Sequence, residues 1–255
     1  MVISHRYKFI FIKTTKVGGT SLELMLDKLC GPEDVFPPHW HPEEGHQPRN
    51  EREMFNPLPE IWKVLRQEHR LPAGYRNWVW DMFKNRERFH ESLPAWQLKC
   101  RLPASIWESY YKFTIERNPW DKAISRYYHS KGVFEPKYGK ELSMDSWLDY
   151  FERRISQPWV TKAWGSEAPY NFPRYADPWT DEVLVDKICR YEDLDTELQE
   201  VFAHVGLPWP GPVPRKAKTG YRKDRRPYRE VLSDEQRDRI AKACAKEIAL
   251  LGYTY

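Results

Sequence analysis

The sequence predicts an α/β fold, a central and mostly parallel sheet flanked by helices. Two strand, loop, helix units predict it. One runs from Tyr7–Lys13 into a helix carrying Leu22, Met25, Leu26 and Leu29; the other runs from Tyr110–Glu116 into a helix opening at Asn118-Pro119. A third apolar run, Val183–Tyr191, also precedes a helical pattern. Strands that alternate with helices build parallel sheets covered on both faces.

Taken in order, Tyr7–Lys13 is short and apolar, as expected of a buried strand. In the helix that follows, the leucines and methionine fall at i, i+3, i+4 and i+7 until Gly31-Pro32 stops it. Pro37, Pro38, Pro42, Pro48 and Pro57 break any periodicity between Glu33 and Leu58, which reads as loops. Helices are predicted near Pro59–His69 and Tyr75–Arg86, and over Ser92–Cys100 with Ser92 as its cap. In the second unit Asn118 is the N-cap, Pro119 the first helical residue and Asp121 the third. Trp120, Ala123, Ile124, Tyr127 and Tyr128 then form one buried stripe. A helix at Met144–Arg154 sits inside an acceptor-side insertion expected at about 131–181, whose second half carries Trp159, Trp164, Tyr170, Phe172, Tyr175 and Trp179; Trp159, Trp164 and Tyr175 could line an acceptor cleft or simply pack in the core. Asp195 caps a helix burying Leu198, Val201, Phe202 and Val205 and ended by Gly206; a Ser233…Gln236 capping box opens the last helix, which ends before Gly252.

With 255 residues the chain is read as a single domain, 1–255. Its 31% charged and 40% hydrophobic residues describe a globular protein, and 12 Trp with 15 Tyr exceed what a core alone commonly asks for. A net charge of +4 argues against a nucleic-acid partner, although basic residues cluster locally in Arg215–Arg229. Cys30, Cys100, Cys189 and Cys244 form no CxxC pair, which speaks against a zinc site or redox dithiol and for reduced thiols. No apolar window approaches the ~18 residues of a membrane helix, and no signal-peptide pattern follows Met1. The expectation is a cytoplasmic protein without a membrane span.

The chemistry is carried by Phe9–Ser21, FIFIKTTKVGGTS. Glycines between a strand and a helix let backbone N–H groups converge on an oxyanion at the helix N-terminus. Lys16 adds a point charge, and Thr20 and Ser21 add hydroxyls. The Walker pattern GxxxxGK[ST] is absent, because the lysine precedes the glycines, so a phosphate-like ligand without a metal is expected. Alone, the loop could be a glycine turn with solvated lysines. The second unit adds Arg117 at a strand end, where parallel sheets place ligand groups, and Ser125 two turns into the next helix. Together they can hold one phosphate by a charge-assisted fork and a hydroxyl.

FIFIKTTKVGGTSLE resembles the 5′-phosphosulfate loop of sulfotransferases that use 3′-phosphoadenosine 5′-phosphosulfate (PAPS), in its carbohydrate-type and bacterial form, and YKFTIERNPWDKAISRYY resembles their 3′-phosphate motif. VDKICRYEDLDTELQEVFAHVGLP and the closing LLGYTY are weaker echoes, while Cys30–Glu87 and Lys131–Asp181 are covered poorly. The resemblance implies a P-loop-NTPase-like architecture and transfer of a sulfuryl group from PAPS to a hydroxyl of a small-molecule or glycan acceptor. By this likeness Lys16 and the amides of Gly18, Gly19, Thr20 and Ser21 would grip the 5′-phosphosulfate, and Arg117 and Ser125 the 3′-phosphate. Lys218, Thr219, Gly220 and Arg222 would fold over the nucleotide, and Lys13 would be a second cation at the reacting centre. His90, in FHESLPAWQLKC, resembles the histidine of the family's His-x-Ser segment and would be the general base. HWHPEEGHQ offers a rival: His39, His41 and His46 as ligands, or Glu43 or Glu44 as base. The alternative functions are a nucleotide-dependent kinase or phosphotransferase, and a non-catalytic nucleotide- or glycan-binding protein.

Overall fold

Among the described residues four strands form one sheet, in which they lie side by side in chain order. In this computed structural model, which describes residues 1–39, 42–72, 74–156, 170–214, 224 and 226–255, β2 (Phe9–Ile12) pairs in parallel with β3 (Tyr111–Glu116), Phe11 opposite Phe113. β3 pairs in parallel with β4 (Lys187–Arg190), Ile115 opposite Cys189. β1 (Val2–Ser4) lies antiparallel on the other side of β2, so the sheet is mixed, with its β2–β3 and β3–β4 pairings parallel. Its connection to β2 is a tight turn with Lys8 at φ +51°, and such a short link permits only an antiparallel neighbour. A three-residue strand, Val-Ile-Ser, carries too little pattern to be read from sequence.

The continuous apolar run of β2 is explained by layers on both faces. Phe9 and Phe11 pack as tilted rings against Phe113 at ring-centroid distances of 5.8 and 5.2 Å, on the face covered by α1 (Gly19–Asp27) and α9 (Leu194–Val205). Ile10 and Ile12 face the opposite core, built from α2 (Leu58–Glu68), α3 (Tyr75–Lys84), α4 (Ala95–Arg101) and α5 (Ala104–Ser109) around Trp96. A third cluster joins α6 (Pro119–Tyr138), α7 (Met144–Ile155) and α11 (Asp234–Ala243) through Trp120, Ile124, Trp147, Phe151 and Ile240. The short helices α8 (Phe172–Tyr175) and α10 (Tyr228–Val231) and the terminal α12 (Ala245–Leu251) complete the described elements.

Local signals decide several ends. Asn118 Oδ1 accepts from Trp120 N at 3.1 Å and Asp121 N at 3.3 Å, with Pro119 at the first position, as the sequence predicts. The Ser233–Gln236 capping box forms. Others differ. Ser92 caps nothing: α4 starts only after Pro94, whose extended backbone precedes Ala95. Asp195 lies inside the first turn of α9 and accepts from Val213 N at 3.1 Å. The terminal helix is broken at Cys244 into α11 and α12. β4 is shorter than Val183–Tyr191, because Val183 bridges Ala176 instead. Tyr175 is buried against Phe172 rather than lining a cleft, whereas Trp159 and Trp164 lie outside the described residues.

Because β2, β3 and β4 run in parallel, Lys13, Arg117 and Tyr191 leave the sheet at one edge. No helix among the described residues is long and apolar enough to cross a membrane. The four cysteines form no disulfide.

Candidate functional site

The loop after β2 is built by two left-handed residues, Lys16 at φ +60° and Gly18 at φ +78°. They turn the chain so that α1 begins at Gly19 without a side-chain cap. Its first intrahelical bond is Leu22 N to Gly18 O at 3.2 Å, which leaves the N–H groups of Gly19, Thr20 and Ser21 without a helical acceptor. Backbone conformation favours glycine at 18, and close packing favours it at 19. A Cβ on Gly18 would sit 3.4 Å from Tyr191 Cε2 in a backbone that disfavours side chains, and one on Gly19 would stand 3.1 Å from Lys13 Cγ. Thr14 Oγ1 donates to Ile115 O, and Thr114 Oγ1 to Ile12 O at 2.8 Å, which stitches the loop to β3.

Lys13 lies behind this cradle. Its ammonium contacts Glu91 and, at 2.5 Å, Glu23, whose carboxylate also takes His39 Nε2 at 2.8 Å and the Met1 amine at 2.5 Å. Burial alone would push the Glu23 carboxyl up; the Met1 amine, Lys13 and His39 outweigh it and hold it well below the usual range. The same carboxylates, against desolvation, raise the Lys13 ammonium. Lys13 is thus a buried counter-ion tying α1 to the His90 segment. Glu23, His39 and Glu91 offer metal-type ligand atoms within 4.8 Å of one another, and the cations beside them are the Lys13 ammonium and, on Glu23, the Met1 amine. The His39 and His46 rings stack with centroids 3.9 Å apart, and His41 lies outside the described residues.

Arg117 brings the second motif to the first. Its Nη1 donates to Lys16 O at 3.2 Å, its Nε to Asp121 Oδ2 at 2.8 Å, and its guanidinium lies 4.4 Å from the Tyr191 ring centroid. Ser125 is half-buried on α6, ~9 Å along the axis from Pro119 at about 1.5 Å per residue. Lys218, Thr219, Gly220 and Arg222 lie outside the described residues.

His90 is half-buried, and its Nε2 is shielded from solvent without a hydrogen-bond partner among the described residues. Nδ1 accepts from Ser92 N at 3.3 Å, so the neutral ring carries its proton on Nε2. Trp78 meets the imidazole edge-on at 5.8 Å. Desolvation, then Arg101, the Met1 amine and Arg174, push its pKa well below 6.5 and keep it neutral.

Sequence reasoning missed a buried polar junction. Lys122 donates to Glu116 Oε1 at 2.6 Å and Glu247 Oε1 at 3.0 Å, all three fully buried. Asn171 joins it, its N–H reaching Glu247 Oε1 at 2.5 Å. Charged residues in an apolar strand and beside a helix stripe were the available signal for Glu116 and Lys122; Asn171 and Glu247 gave none. Burial pushes the Glu247 carboxyl up to about 7, Lys122 opposing and Glu116 adding to the rise. Between the ordinary value of 4.5 and 7 the folded chain therefore holds a proton that the unfolded chain has lost. Stability from this group is complete below pH 4.5 and is lost as pH rises through 7. At ~1.4 kcal/mol per pKa unit, denaturant titrations should show a loss of ~3 kcal/mol over that window, and Glu247→Gln should flatten it.

An uncapped helix N-terminus, a lysine in a left-handed turn and an arginine meet at one sheet edge of an α/β protein. More particularly, the chain belongs to the sulfotransferase family, whose model matches residues 1–254. It is also similar to an uncharacterized protein of Archaeoglobus fulgidus, 32% identical over 117 residues, which cover 46% of this chain and 84% of that protein. Membership supports sulfuryl transfer as the general chemistry.

Proposed function

We propose that the protein moves a sulfuryl group from PAPS to an acceptor hydroxyl, on a small molecule or a glycan, by in-line displacement on a P-loop-like architecture. The observation that carries this reading is the Arg117–Lys16 contact, through which the two motifs share one site. Lys16 and the amides of Gly18, Gly19, Thr20 and Ser21 would hold the 5′-phosphosulfate. Arg117 and Ser125 would hold the 3′-phosphate, with Lys218, Thr219, Gly220 and Arg222 closing over the nucleotide. PAPS supplies an activated S–O bond; it breaks toward the 5′-phosphate as the acceptor oxygen bonds to sulfur, through a loose transition state that needs positive donors and little else. A sulfuryl group carries less charge than a γ-phosphate, so a lysine and amides replace a magnesium ion in this scheme.

Lys13, already paired with Glu23 and Glu91, supports the cradle from behind. His90 takes the acceptor proton on Nε2. This requires a side-chain movement that opens the solvent-shielded Nε2 to the acceptor, and the tautomer protonated on Nδ1, which forfeits the 3.3 Å contact from Ser92 N, a weak hydrogen bond of about 1 kcal/mol. The remainder of the barrier then falls to Lys16 and the amides.

Two measurements test the reading. Calorimetry with adenosine 3′,5′-bisphosphate in chelator should show binding; tighter binding of magnesium ATP, with none of the bisphosphate, would indicate a phosphotransferase. Transfer of labelled sulfate from PAPS should fall ~100–1000-fold in Lys16→Met, the usual loss for one preorganised donor, with the melting temperature little changed. Unaltered turnover would remove Lys16 from the mechanism.

A further inference from the structure

We propose that Asn171 is a positioning residue for the oxyanion loop, clamping Thr15 so that Lys16 is held in its left-handed conformation; this rests on the sulfuryl-transfer reading above. Asn171 Oδ1 accepts from Thr15 N at 3.1 Å and from Thr15 Oγ1 at 2.9 Å. Its Nδ2 donates to Thr15 O at 3.2 Å and to Glu116 Oε1 at 3.2 Å. One carboxamide therefore uses its full complement of two donors and two acceptor positions, and three of these bonds fall on the residue directly before Lys16.

The conformation being held is a costly one. A non-glycine residue at φ +60° gives up ~1–2 kcal/mol and persists only where its surroundings impose it. Asn171 imposes it from upstream and Arg117, donating to Lys16 O, from downstream. The carbonyl oxygens of Thr15 and Lys16 are thereby both engaged by donors, and an anion in the cradle meets the ammonium and amides without those carbonyl charges opposing it.

The clamp itself is anchored. Asn171 is fully buried, its N–H bonds Glu247 Oε1, and Phe172 N reaches the same oxygen at 3.2 Å. The charged groups facing Asn171 are Glu116 on β3, Lys122 on α6 and Glu247 on α12, with Tyr175 on its own α8 beside Glu116. Three elements remote in sequence thus set one backbone angle in the loop.

Asn171→Ala tests this through the separation of donor from acceptor constants, which a merely structural role would not produce. The folded variant should lose ~10–100-fold in kcat/KM for PAPS and bind adenosine 3′,5′-bisphosphate correspondingly more weakly, while KM for the acceptor stays unchanged. If Asn171→Ala does not fold, Thr15→Val is scored in its place: it removes only the hydroxyl contact, and a rise in the donor constant alone supports the clamp. Donor constants within about two-fold of wild type in whichever variant folds, or an equal change in donor and acceptor constants, would overturn it. A wild-type protein that binds no bisphosphate would instead overturn the functional reading on which the clamp rests.

Discussion

Replacing His90 with alanine is expected to lower kcat/KM for sulfuryl transfer by ~100–10,000-fold, the span a positioned proton acceptor contributes. Binding of adenosine 3′,5′-bisphosphate should survive, because among the described residues His90 hydrogen-bonds Ser92 rather than the Lys16 loop or Arg117. The wild-type pH profile carries a second signature. An unperturbed histidine is half protonated near pH 6.5, and a rate that depends on it falls below that value. His90 is pushed well below 6.5 by burial and by Arg101, so kcat/KM should remain level through pH 6.5 and fall only in more acid solution. The same shift makes the folded state reluctant to take a proton, so stability drops as pH falls from 6.5 toward the folded value. An acid limb centred at 6.5, or turnover retained by His90→Ala, would exclude this histidine as the base. His90→Asn, closer in volume, guards against a loss caused only by a void beside Trp78.

Lys122→Met is expected to cost ~3–5 kcal/mol of folding stability, among the largest effects of any single replacement here. It removes the ammonium shared by Glu116 and Glu247 and leaves two carboxylates in a fully buried site. In acid the Glu247 carboxyl is protonated and one negative charge disappears, so the penalty should be smaller near pH 5 than near pH 8. Lys122→Met combined with Glu247→Gln should recover a substantial part of the loss, since groups sharing one network are not additive. Denaturant titrations of the three variants check this. A Lys122→Met protein as stable as wild type at both pH values would show that the junction contributes nothing to the fold. Because Asn171 hangs from the same carboxylate, the singly substituted protein should also bind bisphosphate more weakly, which links stability to the donor loop.

Much of the architecture was legible locally. FIFI announced a strand covered on both faces, and the structure puts its phenylalanines in one core and its isoleucines in the other. Asn118-Pro119 and Ser233…Gln236 announced helix starts, because a cap is a contact between residues two or three apart. The errors fall where distant partners compete: Asp195 turns to Val213 instead of capping α9, and Val183 bridges Ala176 instead of extending β4. The antiparallel edge was illegible because three residues carry no period to read.

The candidate site divides in the same way. The glycine turn, Lys16, Arg117 and Ser125 could be named from sequence, since strand, loop and helix in immediate succession create both the oxyanion geometry and its charge. What only the tertiary structure decided is how that loop is held: Lys13 between two glutamates, Arg117 on the carbonyl of Lys16, and Asn171, 156 residues beyond Thr15, closing on its backbone. Local order along the chain specifies which groups can bind an anion. Their orientation depends on buried hydrogen bonds that exist only once β3, α6, α8 and α12 have packed around the loop and removed its polar atoms from water.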